Sequence, residues 1–148
     1  MALLHTVSIA LHILFAAAWF GMAAAVPALA RAAASPGAAQ GGSVMTAMNG
    51  SIVLFYAFAV LNWTLGLQLG FEAQYNTWPY HTSMTLGLVL VVVQLAVIRT
   101  GWNKLVNGAG TPESEAGRRR LAMGIGIGHL VWLATFVLMY VGRGVVGA

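Results

Sequence analysis

Four histidines, His5, His12, His81 and His129, are the side chains in this sequence best suited to do chemistry. They stand in a chain of 148 residues that is 59% hydrophobic and only 7% charged. An ionisable side chain at membrane depth is costly unless something pairs with it or binds it, so such residues indicate functional sites. Imidazole is a common metal ligand, and in a dry helical bundle haem iron is the leading candidate.

The composition predicts a membrane protein, because a soluble domain needs roughly 25% charged residues. Apolar stretches of about 20 residues recur four times, and in lipid such stretches must be helices. They cover about residues 3–30, 50–71, 80–99 and 121–142. We therefore expect an all-α fold, an integral membrane four-helix bundle with up-down-up-down topology, forming a single transmembrane domain over residues 1–148.

The chain has no cysteine. Disulfides, iron–sulfur ligation, thiolate-ligated haem and covalent c-type haem are therefore excluded, and any haem must be a non-covalent haem b. The net charge of +4 is small and lies mainly between the helices, so it indicates topology and not a nucleic-acid partner. The N-terminus lacks the basic region of a signal peptide, so we expect the first helix to be retained.

The basic residues predict the orientation. The polar stretches 31–49 and 100–120 read as loops, and between them they hold Arg31, Lys104 and Arg118–Arg120. Cytoplasmic loops are enriched in Lys and Arg, so both should face the cytoplasm of a bacterial inner membrane. The connection 72–79 has no basic residue and should face the periplasm together with both termini.

Other polar and aromatic side chains fit a membrane bundle. Tyr75, Trp78 and Tyr80 are expected in the aromatic belt at the periplasmic interface. Asn62 and Gln94 lie within apolar runs and are expected to form hydrogen bonds between helices.

The basic residues also act as a ruler for depth. His12 lies 19 residues before Arg31 and His81 lies 18 residues before Arg99, or roughly 28 and 27 Å of helix. These two histidines should therefore lie at nearly the same depth near the periplasmic boundary. His129 follows the basic triplet by nine residues, roughly 13 Å, and should lie near the middle of the membrane.

This arithmetic predicts His12 and His81 as the two axial ligands of one haem, with His129 as an alternative ligand. Gly124, Gly126 and Gly128 before His129 would let a helix or a flat macrocycle approach closely, although plain helix packing also explains them. His5 is interpreted as an interfacial residue. Structural hydrogen bonding remains the alternative role for His12 and His129, and an interfacial anchor for His81.

The first helix carries a pattern that resembles a known group of proteins. Residues 11–21 read L-H-I-L-F-A-A-A-W-F-G, followed by P-A-L-A-R at residues 27–31. This resembles the first helix of the CopD-like and HemJ-like small membrane proteins, which include copper-resistance proteins and a bacterial protoporphyrinogen oxidase. The resemblance implies that His12 binds haem. The HemJ-type enzymes also use a lysine near the start of helix 3, where this chain reads Trp78-Pro79-Tyr80-His81-Thr82.

Four functions follow as hypotheses. The first is a membrane b-type cytochrome that transfers electrons between a quinone and a periplasmic acceptor, or within a larger redox complex. The second is a HemJ-like porphyrinogen oxidase, against which the missing lysine counts. The third is a non-redox accessory subunit that contacts lipids and other membrane proteins, and the fourth is a copper carrier.

Overall fold

Four long helices make up most of the described chain, which in this computed structural model covers residues 1–33 and 42–146. The four are α1 (Ala2–Ala33), α2 (Gly42–Gln68), α4 (Trp78–Asn107) and α5 (Pro112–Val146), and a short helix, α3 (Glu72–Tyr75), lies between α2 and α4. Each long helix is apolar enough over a sufficient length to cross a bilayer. The prediction of an all-α, multi-pass membrane protein is therefore confirmed.

The long helices pack in a ring. α1 contacts α2, α2 contacts α4, α4 contacts α5, and α5 returns to α1. Its core includes Trp19, Met48, Leu90, Ile98 and Leu121, each of which is at most 2% exposed. This ring is the four-helix bundle that the apolar runs predict.

The hairpin of α4 and α5 is longer than predicted. α4 continues to Asn107 and α5 begins at Pro112, so the loop predicted for residues 100–120 is wrong over most of its length. Gly101 explains how the two helices stay in contact there, since a Cβ on it would lie 2.8 Å from a backbone nitrogen of α5. Most polar residues of this stretch thus lie in the two helices, which extend beyond their apolar segments.

The first predicted loop is also shorter than expected. α1 continues to Ala33 and α2 begins at Gly42, so the loop prediction for residues 31–49 is wrong at both of its ends, and residues 34–41 lie outside the described part. Met45 and Met48 account for the early start of α2, because both are buried in the core. Burial of these side chains outweighs the weak helix propensity of their Gly and Ser neighbours.

A buried polar network joins three helices beside a π-helical segment of α4, Val93–Ile98. The indole N–H of Trp19 donates to Oε1 of Gln94 at 2.9 Å, and the amide of Gln94 donates to Oδ1 of Asn49 at 2.8 Å. The predicted interhelical hydrogen bonding of Gln94 is therefore confirmed. Asn62 differs, because its Oδ1 is buried and has no hydrogen-bond partner among the residues that the structure describes.

Candidate functional site

A cavity of about 650 Å³ lies in the half of the bundle that contains the N-terminus and α3. Side chains of α1, α2 and α5 form most of its wall, and α3 and the start of α4 contribute to one end. Two histidines border it, His5 and His12, and we call it the His5–His12 cavity. Most of the remaining wall is apolar or aromatic, including Phe55, Trp63, Trp132 and Phe136.

His12 is held in one orientation by α2. Its Nδ1 lies 3.0 Å from the backbone carbonyl oxygen of Phe55, and its ring stacks on the Phe55 ring with centroids 4.7 Å apart. A carbonyl oxygen only accepts, so Nδ1 carries the proton of the neutral imidazole and Nε2 keeps the lone pair. Metal-ligating histidines commonly have this arrangement, in which a carbonyl fixes the tautomer and the ring.

His5 lies seven residues before His12, so the two share a face of α1. Its Nε2 is 3.0 Å from the hydroxyl of Tyr75, and both side chains are 8% exposed. Its ring also lies 5.8 Å from that of Phe71. The interpretation of His5 as an interfacial residue therefore misses its place in the wall of the cavity.

Tyr75 reaches His5 because α2 ends in a tight turn. Gly70 adopts a positive φ of 84°, and the N–H of Phe71 donates to the carbonyl oxygen of Gly66 at 2.9 Å. This Schellman-type ending redirects the chain into α3. The Tyr75 ring then packs on Gly66, where a Cβ would lie 2.5 Å from it.

The aromatic belt prediction fits one residue and fails for another. Trp78 is 62% exposed, as an interfacial residue should be, whereas Tyr75 is buried. Sequence reasoning therefore missed Tyr75 as a residue of the site. The signal that could have found it is Gly66 and Gly70 at the end of an apolar helix, since this spacing favours a tight helix ending.

His81 lies outside the cavity wall. It is exposed in the first turn of α4, and its Nε2 donates to Oδ1 of Asn76 at 2.9 Å. The edge of its ring faces Trp63, with centroids 6.2 Å apart. The structure thus does not bring His81 together with His12, and their pairing stays a prediction.

His129 also lies away from the cavity. Its ring packs edge-on against Phe20 at 4.9 Å and against Trp19 at 6.2 Å. Its Nε2 is buried and has no hydrogen-bond partner within the described part of the chain. Gly128, the residue before it, lets α5 approach Trp19, since a Cβ there would lie 2.8 Å from that indole ring. The glycines before His129 therefore include at least one that serves helix packing.

Within residues 1–33 and 42–146, no group of three His, Asp or Glu side chains comes together. A metal ion held by several protein side chains thus has no visible site in that part of the chain. A haem differs, because its porphyrin supplies four ligands and the protein needs to supply only one or two. Comparisons with protein-family models, with curated proteins and with solved structures found no match to this chain.

Proposed function

We propose that this chain binds one non-covalent haem b in the His5–His12 cavity, with Nε2 of His12 as an axial ligand. The observation that carries this proposal is the hydrogen bond from Nδ1 of His12 to the Phe55 carbonyl oxygen, 3.0 Å long, at the wall of a large cavity. It leaves the lone pair of Nε2 available for a metal. An imidazole with this tautomer and a fixed ring is suited to ligate iron.

The cavity has the size and the walls that such a cofactor needs. Its volume of about 650 Å³ lies within the range of roughly 300–1,000 Å³ that is usual for small-molecule and cofactor pockets. Trp63, Trp132 and Phe136 offer flat apolar surfaces for a macrocycle. These apolar walls would lower the polarity around the iron, and the polarity of a haem pocket helps to decide its chemistry.

Polar groups in the wall complement the apolar surfaces. The His5 and Tyr75 pair supplies ring nitrogen and hydroxyl groups that suit the carboxylate edge of a haem.

When bound, the haem supplies one-electron redox chemistry, and the chain supplies the ligand, the apolar pocket and the membrane location. We propose electron transfer as the role, with a quinone or a periplasmic protein as partner and with other membrane redox subunits beside it. Leu130, Leu133 and Val137 on α5 are 70%, 47% and 54% exposed and lie outside the cavity wall, so this face is available to lipid or to a neighbouring subunit. The proposed location is a bacterial inner membrane with both termini in the periplasm.

The test is a reduced-minus-oxidised absorbance spectrum with a pyridine haemochrome assay on the purified chain. We expect a b-type α band in the wild type and its loss in His12→Ala. The matched controls are His81→Ala and His129→Ala, which remove an imidazole outside the cavity and should keep the band. Loss of the band in one of these controls would make that histidine a ligand, either His81 as the depth ruler predicts or His129 as the alternative.

Loss of the band through misfolding is distinguished by adding imidazole. A folded His12→Ala chain keeps a space beside Phe55, so added imidazole and haem should restore the band. A wild-type chain without any haem band, even after incubation with haemin, overturns the proposal. Metal analysis would then separate a copper carrier from an accessory subunit without a metal.

A further inference from the structure

A second, smaller cavity lies at the opposite end of the bundle, on the groove between α1 and α5. Its volume is about 180 Å³. Its floor is apolar, and Arg31 and Arg118 border it, one from each helix. The apolar side chains of the floor are Val26, Pro27, Ala30, Leu121, Ala122 and Ile125.

The two arginines are only partly neutralised. Glu115 accepts from both Arg118 and Arg119, at 2.7 and 3.2 Å, so one carboxylate faces two guanidinium groups. Arg31 is exposed, and its Nε donates to the carbonyl oxygen of Pro27 at 3.3 Å. No carboxylate pairs with Arg31 among the residues that the structure describes. The rim of the groove therefore carries net positive charge.

The order of these groups along the helices matches the order of groups in a phospholipid. Arg31 follows Val26 by five residues, so the charged rim and the inner end of the floor are roughly 7 Å apart along α1. Arginine guanidinium groups suit phosphate oxygens in charge and geometry. An apolar groove directly below them suits an acyl chain.

We propose that this groove binds one anionic phospholipid, with its phosphate between Arg31 and Arg118 and the first part of one acyl chain along the floor. This proposal does not depend on haem binding, since the groove and the His5–His12 cavity share no residue. The anionic character follows from the net positive rim. Cytoplasmic leaflets are rich in anionic lipids, so the ligand is present where the basic residues predict this end to lie.

The test is native mass spectrometry of the full chain in detergent, with phosphatidylglycerol or phosphatidylcholine added. We expect one phosphatidylglycerol to be retained in preference to phosphatidylcholine. The variant Arg31→Gln/Arg118→Gln should lower this retention on the order of tenfold, because each basic residue near a membrane surface interacts appreciably with anionic lipid. Excess inorganic phosphate should not displace the lipid, since it cannot occupy the apolar floor.

The matched control is Arg99→Gln/Lys104→Gln, which removes the same charge from exposed residues of α4 outside the groove. It should retain phosphatidylglycerol like the wild type. Ala122→Phe fills the groove while keeping both arginines, and it should also lose the lipid. Equal loss in the control, equal retention of phosphatidylcholine, or full retention in Ala122→Phe would overturn the proposal.

Discussion

The hydroxyl of Tyr75 and Nε2 of His5 lie 3.0 Å apart, and both side chains are more than nine-tenths buried. A polar atom buried in a membrane protein without a partner carries a desolvation penalty. The hydrogen bond between these two groups offsets that penalty for both of them. The contact also ties α3 to the first turns of α1, which are far apart in sequence. The residue pair thus closes one end of the His5–His12 cavity.

Replacing Tyr75 with Phe tests this contact. The ring would stay packed on Gly66, but Nε2 of His5 would lose the hydroxyl. We expect the free energy of unfolding to fall by about 1–2 kcal/mol, the usual cost of leaving a buried polar group without its partner. Reversible unfolding in mixed micelles, followed by circular dichroism, measures the change.

Tyr80→Phe is the matched control, because Tyr80 borders the same cavity but its hydroxyl makes no hydrogen bond in the described structure. It should change the stability by much less. Equal stability of the two variants would show that the His5 contact contributes nothing.

The residues of the site were predictable to different degrees. His12 stands between apolar residues, so the cost of burying it in lipid indicates a site from the sequence alone. Its partner, the carbonyl of Phe55, has no sequence signal, because every residue carries a carbonyl. The partner of His5, Tyr75, lies in a polar connection, and only the turn at Gly70 places it inside.

At the scale of the helices, Gln94 links α4 to both α1 and α2. Its side chain is fully buried, and it lies at the start of the π-helical segment. Such segments have lost the regular i to i−4 pattern and often mark functional positions. Here the wider turn coincides with the side chain that accepts from Trp19 and donates to Asn49.

Gln94→Leu should therefore destabilise the bundle. The substitution keeps most of the volume but leaves the Trp19 indole N–H and Oδ1 of Asn49 without this partner. Interhelical hydrogen bonds in membranes contribute about 0.6–1.7 kcal/mol, so we expect a loss of about 1–2 kcal/mol in the free energy of unfolding. The indole N–H resonance of Trp19 should also shift in the NMR spectrum.

Gln68→Leu is the control for this experiment, since Gln68 is exposed at the end of α2. It removes the same amide without touching the network. A Gln94→Leu variant as stable as the wild type, with an unchanged Trp19 resonance, would contradict the role assigned to the network.

The existence of the helices was predictable, but their ends were not. Apolar runs of about 20 residues identify membrane helices because lipid penalises unpaired backbone groups. Outside the lipid this penalty disappears, because water can pair with the backbone groups. A polar segment there can therefore continue the helix or end it. The segment 100–120 continues both helices because Gly101 and Gly117 let their backbones approach, a tertiary effect that composition does not express.

The depth ruler shows the same limit at the scale of the whole molecule. It took Arg31 and Arg99 as marks of a single boundary. α1 ends just after Arg31, at Ala33, whereas α4 continues well past Arg99 to Asn107. Since the two marks lie at different distances from their helix ends, matched spacing from them does not by itself establish a matched depth for His12 and His81.

The ring of helices separates two sites with different chemistry. The His5–His12 cavity lies at the end with α3, and the groove bordered by Arg31 and Arg118 lies at the other end. If the basic residues mark the cytoplasmic side, the cavity opens toward the periplasmic half, where a periplasmic electron acceptor could reach it. The direction of insertion thus connects the proposed haem site to its partners.

This direction can be measured cleanly because the chain has no cysteine of its own. Ala73→Cys places a thiol on exposed α3, and Ala109→Cys places one in the exposed connection between α4 and α5. In spheroplasts, a membrane-impermeant maleimide should label the first variant, and it should label the second only after lysis. The reason is that one full membrane crossing, α4, separates the two positions while the basic residues hold the second inside.

The reverse labelling pattern would mean that the bundle is inserted in the opposite orientation. The cavity would then face the cytoplasm, and the electron partner to test would be a cytoplasmic one. Labelling of both variants from outside would mean that α4 does not cross the membrane. Because α4 carries Gln94 and packs on both α2 and α5, that result would also contradict the four-helix ring in the bilayer. Labelling at these two positions therefore tests the direction of insertion and the crossing of α4 independently of any ligand.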